Sequence, residues 1–288
     1  MNGAVQAGYA PPTGPDRPAP GRRWLRWLLA ATVAWAVLLA VLTWVSVRDD
    51  PPTVREQRNL AEAGPVVDRA VGELLAAAGD GGAARLVPDA LRRGCRITPF
   101  ADGATLTRGV EVLLADDDVR GLLQRVADRL PAEWRAGVRV TGEGPVLRAD
   151  AGEFVAVQGR SAGPGRVRLT ADTGCRPIGA GYRAPTAGGG SEAETATELL
   201  RRFGGAEGPV QVSAAPCPDG TTARTATAVS APSRPDRPSL PGTLSQFSDG
   251  ALHVSATDEL YAYRSSSTVV AERADGRVRL TVSTVCRR

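Results

Sequence analysis

Few residues in this chain could carry chemistry, and each sits in a context that limits it. Gly159-Arg160-Ser161-Ala162-Gly163 spells G-x-S-x-G, the pattern of a nucleophile elbow, which needs a strand before the serine and a helix after it. An alternating stretch precedes Ser161, but GPGRVRLT follows, a turn and a second strand, so the segment reads as a hairpin tip. His253, the lone histidine and the only base available for a triad, lies in the strand-like ALHVS of the other half of the chain. It reads as a surface or hydrogen-bonded residue, with pH sensing as the functional alternative. Asp116-Asp117-Asp118 could face a hard cation but lacks the spacing and distal Glu of a calcium loop. Heading an apolar-periodic stretch, Asp118 reads instead as a helix N-cap. Catalytic residues and metal ligands are therefore none in this reading, no cofactor is expected, and ligand-binding residues stay unassigned.

Composition removes further chemistry. The chain has no Lys, so its 35 basic residues are all Arg. That excludes a Walker A lysine, a kinase lysine, a pyridoxal Schiff base and an S-x-x-K nucleophile. One histidine cannot make an H-E-x-x-H zinc site. The net charge of +4 is concentrated near the start: residues 1–47 hold four Arg against Asp16, whereas 48–288 hold 31 Arg against 30 acids. A nearly neutral bulk argues against nucleic acid as partner. The pairs Arg92–Arg93, Arg201–Arg202 and Arg287–Arg288 read as solvated faces, with anionic lipid or wall polymer as the alternative. Trp134, Tyr182, Tyr261 and Tyr263 read as core or rim packing rather than a recognition surface.

Residues 24–47 read WLRWLLAATVAWAVLLAVLTWVSV. Between Arg26 and Arg48 no charge occurs, and about twenty such residues cross roughly 30 Å of hydrocarbon. Trp24 and Trp27 flank one end and Trp44 the other, as in an aromatic belt, and the Arg cluster before the span places the N-terminus in the cytoplasm. The rival reading, a cleaved signal peptide, requires a shorter apolar region and an A-x-A-like site, which VLTWVSVRDDPP does not offer. Ala30, Ala34, Ala36 and Ala40 have the spacing of a weak helix-pairing stripe. Residues 1–23, rich in Pro and Gly, read as a disordered cytoplasmic tail.

The rest of the chain spells one organisation twice. GRVRLTADTGC (165–175) is echoed by GRVRLTVSTVC (276–286), and both alternate and end in Cys. Upstream, CRITPFADGATLTRGVEVLL faces CPDGTTARTATAVSA, each opening on Cys with an Asp-Gly turn signal. A helix precedes each. In the first, Val67, Ala70, Val71, Leu74, Leu75 and Ala78 form one apolar stripe. The second is expected to open on a Ser191/Glu194 capping box and to stop at Gly204–Gly205. A connecting helix with Val119, Leu122, Leu123, Val126 and Leu130 on one face belongs to the first unit. The proline-rich APSRPDRPSLPGTLSQF replaces it in the second. The expected fold class is thus α+β: a transmembrane helix at 24–47, a module at 48–178, a Gly-rich linker at 179–190 and a module at 191–288. Each module is a mostly antiparallel sheet packed with one or two helices.

Cys95, Cys175, Cys217 and Cys286 all follow the span, on the side where disulfides persist. None is in a C-x-x-C pair. Four cysteines allow three connectivities, and the doubled pattern selects Cys95–Cys175 and Cys217–Cys286.

The Pro-rich stub, the single Trp-flanked span and the Ala/Arg/Gly-rich remainder without Lys resemble uncharacterised single-pass membrane-anchored proteins of high-GC actinobacteria. That resemblance is compositional and brings no activity or site residues with it. The functional expectation is a non-catalytic binding, scaffolding or sensing protein of the cell envelope. It would be integral to the membrane, with an envelope protein or wall polymer as partner. The alternative is a carboxylate-dependent hydrolase acting on an envelope substrate.

Overall fold

The computed structural model describes residues 22–49, 58–185, 188, 190–232 and 238–286. Residues 1–21 of the expected cytoplasmic tail, part of the Gly-rich linker, the middle of the proline-rich connector and the pair Arg287–Arg288 lie outside the described residues, whereas residues 22 and 23 belong to the first helix. The first helix stands in one compact unit and everything from Arg58 onward in a second.

Helix α1 (Arg22–Asp49) contains a 22-residue stretch, Trp24–Val45, long and apolar enough to cross a membrane and exposed along its length. Its two threonines turn their hydroxyls inward. Thr32 donates to the Leu28 carbonyl at 2.9 Å and Thr43 to the Leu39 carbonyl at 2.8 Å. Neither then asks a surrounding hydrocarbon for a hydrogen bond.

The second unit opens with α2 (Leu60–Ala78), whose Asn59 and Glu62 form a capping box. Strands β1 (Ala83–Thr98) and β2 (Ala101–Leu113) follow, then α3 (Val119–Arg129). Next come β3 (Gly137–Thr141), β4 (Gly144–Asp150), β5 (Ala156–Gly163) and β6 (Arg166–Asp172). After the linker come α4 (Gly190–Arg201), β7 (Gln211–Pro216), β8 (Thr222–Val229) and the short α5 (Leu240–Leu244). The chain continues through β9 (Leu252–Ala256), β10 (Leu260–Arg264), β11 (Thr268–Ala274) and β12 (Arg277–Ser283). The fold is α+β, with two antiparallel six-stranded sheets. Their orders are β1-β2-β6-β5-β4-β3 and β7-β8-β12-β11-β10-β9, the same path run twice. The two echoed sequences fall on β6 and β12, at the same place in each sheet.

Alternation decides which face of each sheet meets helices. Val167, Leu169 and Ala171 of β6 join the core under α2 and α3, while Arg166, Arg168, Thr170 and Asp172 point the other way. In β12, Val278, Leu280 and Val282 join the core with α4 and α5, and Arg279 and Thr281 point away. The helix-free faces meet each other. Ala83 and Leu113 of the first sheet pack on Val254, Ala262 and Val270 of the second. Leu86 N–H donates to Thr225 Oγ1 at 3.0 Å across the same junction. Helix α2 also reaches the second sheet. A Cβ on Gly72 would lie 1.8 Å from the Pro216 carbonyl oxygen, so only glycine permits that approach.

Several local expectations change. In the first module Asp102-Gly103 is no turn. It lies inside β2, the turn falls at Pro99–Phe100, and β1 runs back to Ala83, past a register shift at Pro88 and Asp89. Proline lacks an amide donor, so the strand continues only with that irregularity. Asp219-Gly220 in the second module is the turn expected, with the Gly220 amide donating to the Cys217 carbonyl. Helix α4 begins at Gly190, which puts Ser191 inside its first turn rather than at the cap. The proline-rich connector still forms the five-residue α5, with Ser239 as N-cap and Pro241 tolerated near its start. Nor is the linker only a tether, because Tyr182 folds back and donates its hydroxyl to Asp68 at 2.8 Å.

Candidate functional site: an arginine-lined cleft between the sheets

The sheets touch along β1 and part beyond it. The opening is a cleft of about 1140 Å³ lined from the first sheet by β1, β2, β5 and β6 and from the second by β7, β8, β11 and β12. Among the described residues seven arginines, the buried Arg108 included, and four carboxylates line it, with threonines and two glutamines and no aromatic side chain.

Strand register sets out the charges. On the first sheet Arg85, Glu111, Arg168 and Arg160 lie side by side across β1, β2, β6 and β5. On the second, Arg279 neighbours Val229 on one side and Glu272 on the other. Glu272 thus occupies the site that Arg160 occupies in the first sheet. It crosses the junction, accepting from Arg85 Nη1 at 2.8 Å and from Arg166 Nη1 at 2.7 Å. Arg85 also donates to Glu111 through Nε at 2.9 Å and through Nη2. Arg168 Nη2 adds a contact to Glu111 at 3.4 Å. Burial pushes the Glu272 carboxyl up, but the hydrogen bonds and charges of Arg85 and Arg166 outweigh it and hold the carboxyl below its ordinary range.

The other cleft carboxylates are also engaged. Asp172 accepts from the Gly174 amide at 2.6 Å and from the Thr107 hydroxyl. Glu207 pairs with Arg277. Three exposed arginines are left over: Arg92, Arg160 and Arg279 make no ion pair among the described residues. Arg160 stands directly beside Arg168. Thr227 and Thr281 share a hydroxyl contact of 3.2 Å on the opposite wall. The cleft is thus rigid where its charges are matched and carries net positive charge where they are not.

A second buried network closes the junction from behind. Arg108, on the helix side of β2, pairs with Asp68 of α2 and donates to Asp89 at 2.6 Å and to the Ala214 carbonyl of β7 at 2.6 Å. Burial raises the Asp68 carboxyl above its ordinary range even against the Arg108 charge. It raises the Tyr182 hydroxyl as well. One guanidinium therefore links α2, β1, β2 and the first strand of the second sheet. No motif announced it, although a single Arg amid the apolar alternation of β2 is the signal that could have.

The residues singled out by sequence fall as follows. Cys95 is bridged to Cys175 and Cys217 to Cys286, with Cα atoms 5.9 and 5.4 Å apart. Each bridge links the first hairpin of its sheet to the residues just beyond β6 or β12. Ser161 lies on the exposed end of β5, where its hydroxyl hydrogen-bonds, among the described residues, to the Gly163 backbone alone. Gly159 of the same motif serves packing: a Cβ there would meet Leu169, Leu123 and Leu147 at 2.7–3.1 Å. Asp118 caps α3 by accepting from the Gly121 amide at 2.8 Å, and Asp117 accepts from the Gly165 amide at 2.7 Å. His253 lies on β9 and packs edge-on against Tyr261, ring centroids 5.7 Å apart. Neither Ser161, nor the aspartate run, nor His253 lines the cleft.

A segment of 61 residues, 20% of this chain, is 49% identical to part of the DNA mismatch repair protein MutL of Paramagnetospirillum magneticum. The chain spans 10% of that protein's length. No protein-family model and no solved structure matches the chain.

Proposed function

We propose that this is a membrane-anchored, non-catalytic binding or sensing protein of the cell envelope, with the inter-sheet cleft as its ligand site. In this reading α1 is an uncleaved anchor, the N-terminus is cytoplasmic, and both sheets stand outside the membrane. The arginines before the apolar stretch and the two bridges after it support that orientation. The observation that carries the ligand site is the set of arginines facing the cleft without carboxylate partners, beside others locked by buried ion pairs. Proteins do not gain stability by crowding Arg160 against Arg168, so such an arrangement is reasonable where an anion completes it.

Glu111 and Glu272 do converge in the cleft, as a carboxylate-dependent hydrolase would require. A general acid needs its pKa raised, however, and Glu272 is shifted the other way by the arginine between them. The binding reading is therefore preferred. Hydrogen exchange on the full-length protein in nanodiscs tests it. A soluble cell-envelope fraction is expected to slow exchange in β5, β6 and β12 beyond its effect on β3 and β9. Uniform exchange with and without the fraction would contradict the cleft as the site.

A further inference from the structure

The cleft suits one chemical class better than others. At about 1140 Å³ it exceeds the range of roughly 300–1,000 Å³ usual for small-molecule pockets. Its spare positive charge is distributed rather than focused. Arg160 stands on one wall beside Arg168, which already contacts Glu111, with Arg279 on the facing wall and Arg92 on the outer half of β1. A single phosphate or carboxylate cannot satisfy arginines on both walls, whereas a chain carrying an oxyanion on each repeating unit can. Between the arginines lie Thr170, Thr227, Gln158 and Gln211, donors and acceptors matched to hydroxyl groups. Nucleic acid has the charge, but single strands are held by stacking bases on aromatic side chains, and among the described residues this cleft presents none.

We infer that the cleft binds a hydroxyl-bearing linear polyanion, such as a polyol-phosphate or uronate chain, laid between the sheets with successive oxyanions on Arg160, Arg168 and Arg279. This rests on the cleft being the ligand site. Guanidinium recognises phosphate and carboxylate alike, so the shared chemistry is the repeated oxyanion.

The test uses full-length protein in zwitterionic nanodiscs and a fluorescent poly(glycerol phosphate) oligomer, with polygalacturonate, neutral dextran, inorganic phosphate, single-stranded DNA and phosphatidylglycerol vesicles as competitors. Arg160→Gln with Arg279→Gln should weaken binding about tenfold, two exposed charge contacts being lost. Because neither arginine holds an ion pair among the described residues and Arg160 stands opposite Arg168, thermal melting should not fall. Arg160→Lys with Arg279→Lys should recover most of the affinity, and Arg201→Gln with Arg202→Gln, off the cleft, should change nothing. Polygalacturonate, which repeats a carboxylate, should compete, whereas dextran and inorganic phosphate should not, and failure of polygalacturonate to compete would overturn the repeated oxyanion as the shared chemistry. Equal binding by the double variant, equal loss in the off-cleft control, or equal competition by DNA or vesicles would overturn the inference. A photo-crosslinker at Gln211 in intact cells separates the two levels. A protein or neutral adduct would overturn the ligand class while keeping the site, and no adduct would overturn the site itself.

Discussion

The two sheets follow one strand order and carry one bridge each in matching places, yet their cores close differently. The core of the second sheet is drawn entirely from its own half of the chain, from Ala196 to Val282. The core of the first borrows Ala215, Cys217, Ala223 and Cys286 from the other half, slid under α2. The second bridge therefore stiffens both modules, whereas Cys95 and Cys175 are only half-buried at the rim of the first. Equal topology does not mean equal independence: the module with the longer helices is the one that needs its neighbour.

The largest expected effect breaks or sustains that asymmetry. The bridges close loops of similar length, 80 and 69 residues, so chain entropy assigns each about 4 kcal/mol. Cys217→Ser with Cys286→Ser should cost at least that and should speed hydrogen exchange in α2 as well as in β7 and β8. Cys95→Ser with Cys175→Ser should cost no more and leave β8 to β12 protected. Equal spread of fast exchange from either pair would remove the distinction.

Next comes the contact itself. Gly72→Ala drives a methyl group into the Pro216 carbonyl and should cost about 3 kcal/mol by overpacking, read as a lower denaturation midpoint. Helix α4 offers a control in Ala193, half-buried beside its core, where adding one heavy atom, the hydroxyl oxygen of Ala193→Ser, should cost well under 1 kcal/mol.

Glu272 sharpens the comparison at the cleft, since the first sheet has Arg160 at the matching position. Its folded pKa lies below the ordinary 4.5, so its contribution is present above that value and is lost as pH falls through the folded value. Asp68, raised by burial, acts in the opposite sense and offsets part of the acid loss. Glu272→Gln should cost about 2 kcal/mol at neutral pH, less than the usual 3–5 for one partner of a buried pair because Arg85 keeps Glu111. It should also flatten the loss of stability below pH 4.5 in unfolding curves. An unchanged acid limb would show that Glu272 does not fasten the sheets.

The smallest effect concerns the entry to the first module. Asn59→Ala removes the cap of α2 and should cost about 1 kcal/mol, seen as faster exchange in its first turn.

Much of this architecture was legible. The echoed strands gave the matching positions of β6 and β12, the doubled Cys pattern selected the observed pairs, and the apolar stripes of α2 and α3 are buried as their periodicity required. What sequence did not disclose depends on contacts between distant residues. Strand β1 was hidden because Pro88 and Asp89 interrupt its alternation, and the Asp-Gly at 102 imitated a turn that Pro99–Phe100 makes instead. The cleft was invisible for a different reason. Arg85, Arg160, Arg168, Glu272 and Arg279 each look like ordinary solvent-facing residues on alternating strands, and only the packing of one sheet on the other gathers them.

That packing is the central claim, and a distance measured across it tests the claim most directly. All four native cysteines are bridged, so spin labels at Ser161→Cys on β5 and Thr222→Cys on β8 would report on the two sheets alone. Electron–electron resonance on the full-length protein should give one narrow distance distribution that broadens when Glu272 is replaced by Gln. A broad distribution in the otherwise native protein, as two modules swinging on a Gly-rich linker would give, would contradict the account.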